Sequence, residues 1–467
     1  MSDLSNHSLS RRSFLAATTT TAVALVGCAG ATRVNTARVV PRKVSPNEKL
    51  NIAAIGAGGM GAGDIMGCHR EGENVVALCD VDLTRAAATA ENIPNTKIYQ
   101  DFRVMLKEMP EIDAVTVSTP DHTHAQAAYM AMMMGKGVYV QKPLTHTVAE
   151  ARLLLETARA TGVATQMGNQ GRCQNGVRNL CEMLWSGAIG QVREAHVWTN
   201  RPIWPQGHEY TMLMPEEAVP ETVDWDLWIN GAPMRPYNSI YAPFNWRGWW
   251  DFGCGALGDM ACHIMDPAFS SLRLMDVEEY TIELIEENGN NQETFPNASV
   301  VKYSFPARAG MIPVDVYWYD GGLMPPHPEG VPEDQRIGSG NNGSYFVGEN
   351  GYLSAGSYGE QARLLPDERM QEYEMPTQII PRIPDENPYR NWIQACKGGQ
   401  PAASNFEYSC PFTEMVVFGN LALRLPGKLE YNAKDMHIKN RPEANQYLSK
   451  EYRKGWELPV PSPGLSS

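Results

Sequence analysis

The chain has 467 residues, 43% of them apolar, enough for two packed domains and too many for one ordinary core. Acidic residues outnumber basic ones 53 to 39, a net charge of −14, and no basic stripe could follow a phosphate backbone, so nucleic acid is not an expected partner. Beyond the N-terminus no apolar run approaches the ~20 residues of a membrane-spanning helix, and nine cysteines without a CxxC pair fit small buried residues better than a zinc site or disulfide scaffold.

Residues 1–31 read as a signal peptide. Arg11 and Arg12 precede Phe14 and Leu15, and the weakly apolar stretch from Ala16 to Val26 is too short to anchor. The order Ser-Arg-Arg-Ser-Phe-Leu resembles a twin-arginine (Tat) export signal, and Leu25-Val26-Gly27-Cys28 resembles a lipobox whose cysteine is lipidated. Ala29 after Cys28 points by resemblance to a periplasmic protein lipid-anchored to the outer membrane; Ala29-Gly30-Ala31 is a rival cleavage site that would free the protein. Residues 32–47 read as a linker.

Residues 48–170 read as an NAD(P)-binding Rossmann domain. An apolar strand from Asn51 to Ile55 enters Gly56-Ala57-Gly58-Gly59-Met60-Gly61. Gly56 permits the tight turn, Gly58 a close approach to a pyrophosphate, and Gly61 close packing of the next helix. The strand "NVVALCD" ends on Asp80, placed to accept from a ribose 2′-hydroxyl; this favours NAD, while Arg85 keeps NADP open. Strands and helices then alternate through "DAVTVSTP", "GVYVQKP" and "VATQMGNQ", and Thr147 with Glu150 forms a capping box. The pattern predicts a doubly wound parallel sheet. Its ligand-binding ends carry Thr119, Pro120, His124, Gln141 and Lys142, with Asn169 after the last strand, all expected at the cofactor. His122 and His124 lack an acidic or cysteine partner at usable spacing, so loop packing is expected rather than metal binding.

From 171 to 440 the period changes to β-rich segments, including "QVREAHVWTN", "EYTIELIEEN" and "PVDVYWYDGG", which predict an α+β domain with a mainly antiparallel open sheet for substrate binding and self-association. Within it Gly253-x-Gly255 leads into a helix carrying Asp259, His263 and Asp266. Asp259 and His263 are four apart and share a face, which suits a carboxylate orienting an imidazole that takes a hydroxyl proton. Arg201, Trp204, Trp246 and Arg247 offer flat apolar faces beside forked donors, as a sugar ring requires. "LSAGSYGE" is expected to turn at Ser357, and residues 441–467 to wrap the surface and fray.

The glycine turn, "YVQKP" and "GALGDMACHIMD" together resemble the Gfo/Idh/MocA oxidoreductases, from about residue 48 to the C-terminus. The resemblance implies that Lys142, Asp259 and His263 are catalytic, acting on one sugar or cyclitol carbon over a nicotinamide. Gln141 stands where the family often has glutamate, and Cys254 interrupts its triple glycine. An exported dinucleotide enzyme has no evident external cofactor pool, which implies a tightly held cofactor restored each cycle. Coupled oxidation and reduction of two sugars fits this. So does transient oxidation, elimination and reduction of a glycoside, as in the family's N-acetylgalactosaminidases, although their Tyr-Pro-Thr-His stretch is absent. A dehydrogenase with a separate acceptor and a non-catalytic exported sugar-binding protein are the other readings.

Overall fold

Asn51–Ile55 (β1) is buried along almost its whole length, because helices cover both faces of the sheet it founds. The computed structural model describes residue 39 and residues 41–464, so the signal-peptide reading, Cys28 included, lies outside the described residues. Parallel to β1 run β2 (Asn74–Cys79), β3 (Lys97–Tyr99), β4 (Ala114–Val117), β5 (Gly137–Val140) and β6 (Thr165–Met167), in the order β3-β2-β1-β4-β5-β6. Five helices connect them: α1 (Met60–Arg70), α2 (Leu83–Ala90), α3 (Phe102–Glu108), α4 (His124–Met133) and α5 (Val148–Thr161). This is the expected doubly wound sheet. The strand order reverses between β1 and β4, so the ligand crevice opens where Gly56 meets Ser118. α5 starts on the expected capping box: Thr147 Oγ1 accepts from the Glu150 amide, and Glu150 accepts from the Thr147 amide.

The second sheet has nine strands: β7 (Val192–Trp198), β8 (Glu279–Asn288), β9 (Ala298–Phe305), β10 (Val314–Tyr319), β11 (Gly343–Gly348), β12 (Gly351–Ala355), β13 (Arg363–Leu365), β14 (Leu429–Asn432) and β15 (His437–Ile438). Only the β7–β10 pair is parallel. Alternate residues such as Ala195, Val197, Val316 and Trp318 face one core. That core is closed by α6 (Asn175–Trp185), α8 (Gly255–Ile264), α9 (Asp266–Ser271) and α11 (Phe406–Arg424). The excursion after β7 holds the short α7 (Trp225–Ile229) and an aromatic core of its own.

Three local features differ from expectation. Asp266 is not on the helix of Asp259 and His263: the chain turns at Met265, and Asp266 opens α9, buried on Tyr408 and Ser270. α10 (Pro388–Cys396), far along the chain, completes the first sheet's core, where Trp392 and Ile393 pack with Ile52 and Ile65. Residues 441–456 do not fray. Ala444 and Leu448 are fully buried, Lys450 pairs with Glu150 at 3.0 Å, and Arg103 stacks over Trp456. A lysine meeting a fully buried carboxylate converts a polar tail into a strap.

Candidate active site

The glycine turn passes a steric test for a dinucleotide cradle. A Cβ on Gly61 would lie 1.9 Å from the Gly56 carbonyl oxygen, and Gly56 itself has φ +83°, with Ser118 O 2.5 Å from where its Cβ would be. Only glycine allows that approach. α1 begins without a side-chain cap and without an acid in its first turn; the Gly61 amide donates to Gly58 O at 3.0 Å, and the Met60 and Ala62 amides are left to a pyrophosphate. Asp80 draws the turn in, accepting from the amides of Ala57 (2.9 Å), Gly58 (3.2 Å) and Asp82 (3.0 Å). Arg85 crosses Gly58, where a Cβ would meet its guanidinium, and stands 3.9 Å from Asp80. Gly59 has φ +55° and Met60 is exposed, both at the mouth of the turn.

At the ends of β4 and β5 the side chains divide into those that face the crevice and those that hold it. His124 belongs to the second group. Its Nδ1 meets Pro143 O at 2.9 Å and its Nε2 meets Thr119 O at 2.8 Å, so the expected contact with the cofactor is replaced by a bracket that pins Thr119 to Pro143. Burial lowers His124 to about 4. His122 is held alike by Phe252 O and Trp228 O, and burial lowers it to about 3. Gln141 also turns inward, donating to Asp64 at 2.9 and 3.1 Å. Asp64 further accepts from Ser118 and Tyr389, and burial raises its carboxyl. Asn169 spends its amide on Ser404 and the Cys262 carbonyl. These residues shape the pocket from behind.

Lys142 reaches across to α8. Its Nζ donates to the Asp259 carbonyl at 2.8 Å and to Asp259 Oδ1 at 3.0 Å. Arg247 Nε donates to the same Oδ1 at 3.2 Å. Burial alone would raise this carboxyl, but Lys142 and then Arg247 outweigh it and hold it down at about 2. The expected carboxylate-imidazole pair is therefore not formed: Asp259 bonds the two cations, and the buried His263 Nδ1 has no partner among the described residues. Burial, then Lys142, lowers His263 to about 3 against the opposing pull of Asp259. The imidazole is thus neutral at ordinary pH and has a lone pair to accept a proton.

The tryptophans take a different role from the one expected. Trp204 and Trp246 are each 6% exposed, too buried to serve as open stacking platforms. Instead Arg247 lies over Trp246 at 4.2 Å and Phe244 at 4.5 Å, with Trp204 farther off at 6.0 Å. Arg201 donates to Asn200.

Two residues went unpredicted. Tyr358 sets its ring edge-on to His263 at 5.2 Å between centroids, and its hydroxyl feels Lys142, Asp259 and Arg201. It sits in the expected turn, one residue beyond Ser357. Asp121 accepts from the Cys254 amide at 3.0 Å, tying the β4 loop to the residue that precedes α8. Burial raises it to about 7, against Arg247 and Lys142. Its place after Ser-Thr-Pro at a strand end was the available signal. Among the described residues no cluster of metal-ligating side chains occurs.

Two family models match: the oxidoreductase family's NAD-binding Rossmann fold over residues 50–169 and its C-terminal alpha/beta domain over residues 186–303. Inositol 2-dehydrogenase 3 of Saccharopolyspora erythraea is 29% identical over 195 residues, 40% of this chain and 57% of that protein. An inositol 2-dehydrogenase of Pseudarthrobacter chlorophenolicus is 30% identical over 177 residues, 37% of this chain and 52% of that protein. The chain spans about half the length of the curated relatives it matches. Among solved structures, the WlbA dehydrogenase of Bordetella pertussis, in complex with NADH and UDP-GlcNAcA, is 15% identical with a TM-score of 0.56, covering 82% of this chain and 98% of that one. An oxidoreductase from Agrobacterium radiobacter, in complex with NAD+, L-tartaric acid and magnesium, is also 15% identical, with a TM-score of 0.53 over 81% of this chain and 98% of that one. At such identity these two share the fold.

Proposed function

Because this chain belongs to the Gfo/Idh/MocA oxidoreductase family, whose two models together match just over half of it, we propose that it is an NAD-dependent enzyme acting on the CH–OH group of a sugar or cyclitol. The observation that carries the reading is the meeting of Lys142, Asp259 and His263 beside the ends of the parallel strands. The relatives known as inositol 2-dehydrogenases support a cyclitol or carbohydrate substrate.

The turn from Gly56 to Gly61 would hold the pyrophosphate, and Asp80 the adenosine ribose. When bound there, a nicotinamide supplies a hydride acceptor and donor. The remaining chemistry belongs to side chains. Neutral His263 takes the hydroxyl proton as the carbon gives up hydride, and returns it in the reverse direction. Lys142, fixed by Asp259, offers a hydrogen bond to the oxygen on which negative charge develops. Asp259, ionised by its two cations, stabilises the imidazolium through space rather than through a hydrogen bond. Tyr358 holds the imidazole ring at its edge.

Export by the Tat route, lipidation at Cys28 and periplasmic residence belong to the same reading, supported by the order of Arg11, Arg12 and Cys28. Self-association through the second domain also belongs to it, supported by the mostly antiparallel nine-stranded sheet. The test is a sugar and cyclitol panel given to the NAD-loaded protein and to His263→Ala, following nicotinamide absorbance and any released aglycone. Reduction of the cofactor by a cyclitol or sugar, falling at least ~100-fold in the variant, supports the reading. Near-normal turnover in His263→Ala would remove the base assigned here.

A further inference from the structure

We propose that the sugar this site accepts is acidic, bearing a carboxylate or phosphate that Arg247, held on Asp259, and Arg201, near Tyr358, bind. The proposal rests on the oxidoreductase reading above and names the substrate class of the same site.

The charge balance points this way. Asp259 offers one negative charge to two cations, Lys142 at 3.0 Å and Arg247 at 3.2 Å, on a single oxygen. Two other acids lie near the site, Asp121 facing Arg247 and Lys142 and Glu360 beside Tyr358, and hydrogen bonds within the chain hold both. Asp121 receives the Cys254 amide and is 4% exposed, with burial holding it up at about 7. Glu360 accepts from the Tyr358 amide at 2.6 Å and from Ser339 at 3.1 Å, closing its own turn. Arg201 adds a further cation, and its guanidinium bonds only the Asn200 side chain among the described residues. In a chain of net charge −14, Arg247 and Arg201 thus bring guanidinium donors to this site, and such donors attract anions.

Arg247 is built for oxyanion recognition. Trp246 and Phe244 fix its plane, its Nη1 donates to the Phe244 carbonyl at 2.9 Å, and its Nε holds Asp259. Its Nη2 makes no hydrogen bond among the described residues. A guanidinium already oriented loses little freedom on binding a carboxylate or phosphate oxygen. A neutral sugar gives that donor only a hydroxyl oxygen; an acidic sugar gives it a charge-assisted acceptor, which is about twice as strong.

The test uses the full chain loaded with NAD and pairs of sugars that differ at C6 alone: methyl glucoside with methyl glucuronide, and glucose with glucose 6-phosphate, with the galacto counterparts. Binding is measured by calorimetry and oxidation by nicotinamide absorbance. One charge-assisted contact in a part-buried site predicts about tenfold tighter binding of the acidic member, weakening as salt is raised. The glucuronide and the phosphate arms tell which oxyanion is preferred. In Arg201→Gln the acidic-to-neutral ratio falls about tenfold through KM. Equal binding and oxidation of both members of every pair overturns the acidic-sugar proposal while leaving hydride transfer standing. Salt-sensitive binding of the acidic member without oxidation of any sugar keeps the substrate class and removes the oxidoreductase reading.

Discussion

Lys142 grips Asp259 at two points, the carboxylate at 3.0 Å and the main-chain carbonyl at 2.8 Å, and so fastens the end of the parallel sheet to the helix that carries His263. Asp259→Asn would keep the shape and leave two part-buried cations unmatched, at a cost of about 3 kcal/mol. The sign with pH follows from the depressed carboxyl: its contribution is complete above 3.8 and is lost as pH falls through about 2. Urea unfolding of wild type and Asp259→Asn should therefore show a constant gap near neutrality that closes in strong acid. A gap that widens below pH 3.8 would contradict the assignment.

Asp121 gives the rate profile its expected ionisation. Held up at about 7 by burial, it loses its negative charge as pH falls through that value, and with it the countercharge facing Arg247 and Lys142 that helps to hold the site together. We expect kcat/KM to fall on the acid side of about 7, with the limb absent and the plateau lower in Asp121→Asn. His263 should add no limb near 6.5, since burial and Lys142 place it at about 3. An unchanged acid limb in Asp121→Asn would assign the ionisation to another group.

Much of this was legible in the sequence because it is written locally. The Gly56 to Gly61 turn, Asp80, the Thr147–Glu150 capping box and the alternation of strands and helices each follow from neighbours in the chain. Partners distant in sequence were not. Tyr358 meets His263 only because the turn after β12 folds over α8. A spacing of four placed Asp259 and His263 on one face, yet it could not reveal that Lys142 and Arg247 would take the carboxylate first. The aromatic richness around Trp204 and Trp246 read equally as platform or core, and burial decided for core.

The C-terminal strap should matter to stability. Lys450 Nζ meets Glu150 at 3.0 Å, His146 Nδ1 at 3.1 Å and the His122 carbonyl at 3.3 Å, and Glu150 is fully buried. Lys450→Met should cost about 2 to 4 kcal/mol in denaturant unfolding and expose the segment around Arg453 to protease. A variant as stable and as protease-resistant as wild type would make the strap a passive covering.

Lipidation at Cys28 has a direct readout. Fractionation of cells fed a labelled fatty acid should put label and protein in the membrane fraction, and Cys28→Ser should lose both while remaining folded. Label retained by Cys28→Ser would place the modification elsewhere.

Nucleotide binding is the most direct test of hydride chemistry at this site. The purified full chain, denatured and assayed for released NAD and then titrated afresh with NADH while tryptophan fluorescence is followed, should carry or bind one nucleotide per chain. Gly61→Ala, whose Cβ would sit 1.9 Å from the Gly56 carbonyl oxygen, should abolish it. No released NAD and no binding of added NADH to the folded protein would contradict the assignment.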